Sequence, residues 1–562
     1  MRSQSSQKSS DNDTEPMVAV RQFHRETKHS ASAYAPGPGY MDWESQPNPY
    51  RHFSGARTIQ LPHGGPPLPP AFGELHSHIA TPRSFTEETL SRFIELAMGL
   101  SAWKQIGSER WALRHNPSSG NLHPTELYIV LWHPLSDQLP PGIYHYVPYH
   151  HALECRKQFD ADTVSRLTSS VSGWYAAIGL SSIHWREEWK YGARAFRYCQ
   201  HDVGHALAAA RYAAATLSWQ LKLDTRATDS DIRACLGLDH IDTSAEPEFP
   251  DLMAFLGEAP TDQSETKDIW KIISGSSSSF QGAANSLSPR HMHWPQIAKV
   301  LSSVEKKEPM MPWHPEESSI SNHDGDAAAE MDLARTAESV IRERRSAQQM
   351  TPGMGISKAL FFHMLRRTLP LGKQIPFDGF PFRPSIHLLL FVHRVDGLSP
   401  GLYMCMRSAD TSQRFMESCQ NEDLTWLPTE EAPMPLYRLM TPLDVRRVAA
   451  AISCGQSIAG NSAFSVGMIA EVDGTLNREG PWAYRRLYWE AGLIGHILYL
   501  QAEANGLSGT GIGCFLDDSV HQLLGLPENG NWQSLYHFTV GTALPDRRLT
   551  TLPGYHHLQG DL

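Results

Sequence analysis

The chain repeats itself. In its first part HPTELYIVLW is followed by PPGIYHY; in its second, RPSIHLLLFV is followed by SPGLYMC, so that Pro124 aligns with Pro384 and Gly142 with Gly401. Farther on, Arg194 precedes Gly204-His205 by the spacing with which Arg485 precedes Gly495-His496. CLGLD (Gly237) is echoed by LLGLP (Gly525), and each copy closes on an apolar run before glycine, LMAFLGEA and LYHFTVGTA. A shared order at nearly shared spacing marks a duplicated domain.

Each copy reads as α+β. ELYIVLW and IHLLLFVHRV are continuous apolar runs bounded by turn residues, which predicts buried strands. The Pro-Gly before IYHY and LYMC marks a turn into a second strand. VGHALAAARYAAATLSW and GLIGHILYLQAEANG are helical by composition, and their small residues permit the close approach of a domain core or a two-fold helix interface. Residues 1–70 are expected to be a disordered N-terminus and an extended arm rich in Pro, Gly, Tyr and His, with TIQLP a short strand candidate. Domain 1 is placed at 71–258 and domain 2 at 335–550. Between them, 259–334 (SGSSSS, EKKEPMMPWHPEESS) reads as a polar linker, and 551–562 as a C-terminal tail.

Composition narrows the function. The 562 residues carry 49 Lys+Arg against 60 Asp+Glu, a formal charge of −11. That balance argues against a nucleic-acid binder, which needs clustered cations. With 41% hydrophobic and 19% charged residues the chain is globular. There is no apolar run long enough for a membrane-spanning helix, and MRSQSSQKSSDNDTEP, lacking an apolar stretch, is not expected to act as a signal peptide. The seven cysteines are dispersed without CxxC, as in reduced cytoplasmic proteins, and no metal-ligand set is evident.

Several segments could carry chemistry. RHNPSSGNLHP (Arg114, Pro117, Ser118, Ser119, Asn121) offers hydroxyls and an amide that suit a flat heterocycle, though it also reads as an ordinary strand-capping loop. IRERRSAQQM (Arg344, Arg345, Ser346, Gln348) suits a phosphate, or else is a solvated basic helix face. SGTGIGCFLDD (Gly509, Gly511, Gly513) offers bare backbone N–H groups, or is simply a flexible loop. In WKYGARAFRY, Lys190 beside Tyr191 could form an acid/base pair in which desolvation lowers the lysine and a neighbouring cation lowers the tyrosine; the bland reading is a helix start. Arg547 and Arg548 could add positive charge to a phosphate site.

As an ordered set these motifs resemble the nitroreductase-like flavoprotein family, in particular its SagB/thiazole-oxidase dehydrogenase branch, in tandem form. PSSGNLHP resembles the family's Pro-Ser-Ser-x-Asn-x-Gln-Pro loop, with His123 for Gln. RRSAQ resembles its Arg-Arg-Ser-x-Arg phosphate motif, with Gln348 for the last cation. GIGCF, LLGLP, a strand ending in Val-Gly and Asp546-x-Arg548 resemble its C-terminal signature. KYGARAFRY resembles the segment bearing a catalytic Lys–Tyr pair in azoline-oxidising members, and Gln456 falls where a residue faces the flavin pyrimidine.

The resemblance implies two tandem domains, each a mixed sheet flanked by helices, forming an intramolecular pseudo-dimer, with FMN held between them. The losses are complementary. Copy one keeps PSSGN but has no arginine pair near Gly73 to His76 and no glycine in LKLDTRATDSD; copy two keeps RRSAQ and GIGCF but has FDGFP in place of PSSGN. One FMN per chain is therefore implied, held by Arg114, Pro117, Ser118, Ser119, Asn121, Arg344, Arg345, Ser346, Gln348, Gln456, Gly511, Gly513, Cys514 and Arg548, with N–H groups at Gly513 and Cys514 facing flavin N5. Lys190 and Tyr191 would be catalytic. The implied activity is dehydrogenation of an azoline-like ring in a modified peptide. The alternatives are NAD(P)H-dependent reduction of small electron-poor acceptors, or a non-catalytic scaffold that binds a peptide or partner enzyme.

Overall fold

The computed structural model describes residues 14–558 apart from 77–80, 172, 242–245, 259–267, 314–334, 372–373, 431 and 433. Two seven-stranded sheets carry the duplication. The first runs Arg57–Gln60, Ala152–Gln158, Gly142–Val147, Thr125–Leu131, Trp174–Ser182, Phe249–Gly257, Gln220–Leu223; the second runs Thr425–Pro428, Leu436–Met440, Gly401–Cys405, Ile386–Val392, Phe464–Glu471, Trp532–Gly541, Ser508–Ile512. From the second position inward the strands follow the same chain order in both, and neighbours pair antiparallel. The outer edge differs in origin: the N-terminal segment supplies it in the first sheet and an insertion in the second. The central strands Thr125–Leu131 and Ile386–Val392 are buried at every position, which is why they read as unbroken apolar runs.

The halves meet along two 22-residue helices, Ala195–Thr216 and Ala483–Ala504. Glycine sets their separation. A Cβ on Gly492 would lie 2.2 Å from the His201 carbonyl oxygen, and one on Gly204 2.3 Å from that of Trp489. Almost every residue of both helices is buried, so neither shows the one-sided pattern of a surface helix.

Buried ion pairs repeat across this interface in mirrored form. Arg194 and Arg197 bind Asp517 at 3.1 and 2.9 Å; Arg485 binds Asp229 at 2.6 Å and Asp251 at 3.5 Å. The C-terminal strand Thr550–Pro553 crosses back to pair with Leu100–Ile106 of the first half.

Three segments depart from the sequence reading. Within residues 1–70, Glu15–Glu26 is a helix: Pro16 opens it, and Met17, Val20 and Phe23 bury one face. Within 259–334, Pro295–Ser303 is also a helix, burying Ile297 and Val300, and it packs against Glu15–Glu26. What reads as linker is thus folded in part, carrying the helices Ile269–Ser274 and Pro295–Ser303. The tail from 551 is strand as far as Pro553, not a free end. Residues 1–13, 259–267, 314–334 and 559–562 of those expected segments lie outside the described residues. Among the described residues no helix is long and apolar enough to cross a membrane, and no group of three or more His, Cys, Asp or Glu is placed to hold a metal.

Candidate functional site in the cleft between the halves

The helix Ala337–Glu343 starts on a Thr336 cap and ends at Arg344, whose extended backbone turns the chain alongside the strand Ser508–Ile512. Ser346 bridges Gly509, and the Ala347 N–H donates to the Gly509 carbonyl at 3.1 Å. This turn aims Arg344 into the first half, where its Nη2 donates to the Arg114 carbonyl at 3.2 Å. Arg344 is 3% exposed and Arg114 2%. Each keeps two guanidinium nitrogens, Nε and Nη1, without a hydrogen-bond partner. Two buried cations with unused donors are costly alone and suit an anion such as a phosphate. Ser346 Oγ lies 2.9 Å from the Tyr499 hydroxyl, which accepts the Gly511 N–H at 2.9 Å, and the Arg344 guanidinium stands 4.9 Å from the Tyr499 ring.

The loop Pro117–His123 is strained. Asn121 and His123 have φ of 62° and 53°, beside Gly120 at 59°. Non-glycine residues there concentrate at functional sites. His123 ties the loop together. Its N–H donates to Ser118 Oγ at 2.8 Å and its Nε2 meets Asn121 Oδ1 at 3.0 Å, while Asn121 Nδ2 donates to the Ala112 carbonyl. Burial, with Arg114 nearby, keeps His123 neutral. Beneath the loop lies Asp202, which accepts from the Ser119 N–H and Oγ at 3.1 Å. Burial pushes this carboxyl up to about 7.

Lys190 and Tyr191 close the cleft over this loop. A Cβ on Gly120 would meet the Tyr191 hydroxyl at 2.6 Å and Lys190 Nζ at 3.1 Å, so only glycine fits. The Tyr191 ring packs 4.5 Å from that of Tyr198, whose hydroxyl donates to the Gly513 carbonyl at 3.2 Å. A Cβ on Gly513 would fall 2.3 Å from the Tyr198 ring. Contacts therefore run from loop 117–121 through Lys190, Tyr191 and Tyr198 of the first half to Gly513, Gly511, Tyr499 and Arg344 of the second and back to Arg114, crossing between the halves at Tyr198–Gly513 and at Arg344–Arg114. The expected lowering of Tyr191 is corrected: burial, with Glu187 and Tyr198 beside it, pushes the phenol well up.

Other expected site residues are placed elsewhere. Arg345 spends its donors on the carbonyls of Arg342, Arg344 and Ser101. Gln348 is exposed. Arg548 is exposed too, paired with Asp546 at 2.7 Å. Gln456 donates to the Cys514 carbonyl at 3.2 Å, at the rim.

On the counterpart side, where the register of Arg485 on Arg194 sets Trp482 against Tyr191, the segment around Lys306 meets Asp229 as His29 meets Asp517. Lys306 Nζ donates to the carbonyls of Thr225 and Ala227 at 2.7 Å, its N–H to Asp229 at 3.1 Å, and the Met310 N–H to the Thr225 carbonyl at 2.8 Å. A cavity of about 550 Å³ remains beside this segment, against Met310, Phe382 and Trp482. Sequence reasoning also missed Asp202 and Glu187. Both Glu187 carboxylate oxygens are buried without a hydrogen-bond partner, and burial raises this acid far above its usual range. The same register puts Leu493 where the first half has Asp202, a signal available only once the two helices are aligned.

Residues 443–542 match the Nitroreductase family model. The fold of the whole chain is similar to that of a candidate nitroreductase from Anabaena variabilis, at 20% identity and TM-score 0.65, over 94% of this chain and 99% of that one. Both halves are thus matched within a single chain, and the nitroreductase fold accounts for the tandem architecture. A second candidate nitroreductase, from Ralstonia eutropha, matches 42% of this chain and 97% of its own at 14% identity and TM-score 0.25. A chain of the E. coli microcin synthetase complex with truncated pro-microcin bound matches 44% of this chain and 95% of its own at 17% identity and TM-score 0.26. No curated protein matches the sequence.

Proposed function

We propose that the protein is an FMN-dependent oxidoreductase that binds one flavin per chain in the cleft between its halves and acts as a SagB-type dehydrogenase on a peptide-derived azoline-like ring. The observation that carries this is the placement of Lys190 and Tyr191 from one side and Gly511 to Cys514 from the other around the strained loop 117–121. The buried donors of Arg114 and Arg344, with Ser346, fit a flavin phosphate, and the bare backbone of Gly511 and Gly513 fits the close approach of a ring. When bound, FMN supplies the two-electron chemistry, while the protein positions and excludes water. Tyr191, kept a neutral phenol by its surroundings, donates a hydrogen bond to the substrate. Lys190 takes the substrate proton. Asp202, one hydrogen bond beneath the loop through Ser119, titrates near neutrality and can hold a proton there. The lack of Ser and Asn in Phe377–Pro381, the counterpart of loop 117–121, supports a stoichiometry of one.

An absorbance spectrum with quantified flavin tests the binding half: about one FMN per chain is expected, and none, or two, overturns it. Anaerobic mixing with a thiazoline-containing peptide tests the rest. Flavin absorbance should bleach, with Lys190→Met and Tyr191→Phe slowing it about 100-fold or more at unchanged flavin content. Bleaching by NAD(P)H with a nitroaromatic acceptor, and none by the peptide, would favour the nitroreductase reading, to which the family match of residues 443–542 belongs.

A further inference from the structure

Two loops meet at the rim of the cleft beside Gly513, and each brings a cysteine. The Leu516 N–H donates to the Ile452 carbonyl at 2.7 Å. Two residues inward along each chain from that link stand Cys514 and Cys454. On the far side, Gln456 Nε2 donates to the Cys514 carbonyl. The thiols are bracketed by these two bonds, and each shifts the titration of the other. Cys454 occupies left-handed backbone, with φ of 55°, ahead of Gly455 at 75°, a strained conformation that turns the loop toward its partner. Both cysteines are half-buried, as is Cys419, whereas Cys155, Cys199, Cys235 and Cys405 are buried.

The surroundings make the two thiols unequal. Cys454 and His29, with Arg194 near, outweigh burial and favour the Cys514 thiolate. Cys454 is held as a thiol by Cys514 and by burial, against the opposing pull of Tyr34. Burial pushes Cys155, Cys199, Cys235, Cys405 and Cys419 up. The register of Asp229 on Asp517 puts Arg226 where the second half has Cys514, so the first half carries no equivalent pair.

We propose that Cys454 and Cys514 form a reversible dithiol–disulfide site at the rim of the cleft, oxidised by low-molecular-weight disulfides. The Cys514 thiolate attacks one sulfur of the small disulfide; the new S–S bond forms as the old one breaks, and one small thiolate leaves. Cys454 then loses its proton to water and attacks the Cys514 sulfur, expelling the second thiolate. Two protein thiols are oxidised, one small disulfide is reduced to two thiols, and the two protein protons end on those products. The new bond ties loop 452–456 to loop 513–516 and fixes the backbone around Gly513.

The test uses the purified full-length protein in buffers of stepped glutathione to glutathione-disulfide ratio, quenched with an alkylating agent and mapped by peptide mass spectrometry. The expected result is one cross-linked peptide pair joining Cys454 to Cys514, appearing over a single range of ratios. Cys514 should alkylate about tenfold faster than the other five at neutral pH. Cys454→Ser should leave Cys514 carrying a single glutathione, and Cys514→Ser should leave Cys454 without an adduct. Free alkylation of both cysteines at every ratio, or equal reaction of all seven, overturns the proposal. Because the wild-type chain carries the decisive readout, misfolding of a variant does not blunt it. The cross-link is read whatever the flavin content, so its failure and that of the flavin reading are separate results.

Discussion

Arg194 and Asp517 sit 3.1 Å apart, one from each half, with side chains 2% and 0% exposed. The contact recurs in reverse between Arg485 and Asp229. Fully buried ion pairs of this kind cost most when one partner is taken away and the other is left uncompensated.

Asp517→Asn is expected to lower stability by about 3–5 kcal/mol in denaturant unfolding, with loss of contact between the halves. Burial alone would raise the Asp517 carboxyl, but Arg194 and Arg197 hold it far below the usual range. A group depressed in the folded state stabilises above its unfolded value of about 4 and ceases to do so as pH falls through the folded one. The wild-type protein should therefore lose stability below about pH 4, and the variant should lose less over that interval. An unchanged midpoint in the variant would show that the pair does not hold the halves.

Gly492→Ala tests the helix crossing. Its Cβ would stand 2.2 Å from the His201 carbonyl oxygen, which is backbone and cannot swing aside. A loss of about 1–3 kcal/mol is expected from the forced separation. Gly37→Ala, which meets nothing within 4 Å, should leave the melting temperature where it is. Equal effects would mean that the crossing tolerates more space than the geometry allows.

Asp202→Asn should change the pH dependence in the opposite sense to Asp517. The native carboxyl is pushed up to about 7 by burial, above an unfolded value of about 4. Between those limits the folded protein binds the extra proton, so wild-type stability falls as pH rises. The variant lacks this term and should gain on the wild type by about 1.4 kcal/mol per pH unit across the window, then run parallel. Thermal melts at stepped pH check it; parallel curves from pH 4 to 7 would deny Asp202 its shifted titration.

Arginine substitutions separate the buried clamp from the exposed tail. Arg344→Ala should weaken FMN binding about 10- to 100-fold, the worth of a charge-assisted contact. Arg548→Ala, which removes a surface ion pair with Asp546, should change it by about twofold or less. Fluorescence titration with FMN measures both, and the reverse ranking would move the phosphate site to the chain terminus.

The duplication was legible because Pro124 and Pro384 each precede a strand buried on both faces, and burial on both faces leaves an apolar run no loop can imitate. The contact of Arg344 with the 114–121 segment could be expected only through the complementary losses of the two copies. The helix Pro295–Ser303 was hidden: it buries only Ile297 and Val300, too short a pattern to stand out among Ser and Pro. Asp202 was hidden for the opposite reason. A helix buried on every side gives no periodicity by which to tell which of its polar residues faces a site. Cys454 and Cys514 are far apart in sequence, and no spacing rule joins residues whose loops meet only at the end of a sheet.

Lys306 and its neighbours have a consequence for how the molecule is approached. An enzyme made of two identical chains offers the same doorway on both flanks and must change both whenever it changes one. Here the chain lays Lys306 and Met310 against Thr225, Ala227 and Asp229 on one flank and Lys190 and Tyr191 against Gly120 on the other, so the two flanks are chemically unlike. Either flank can therefore change its side chains without the same change being forced on the other.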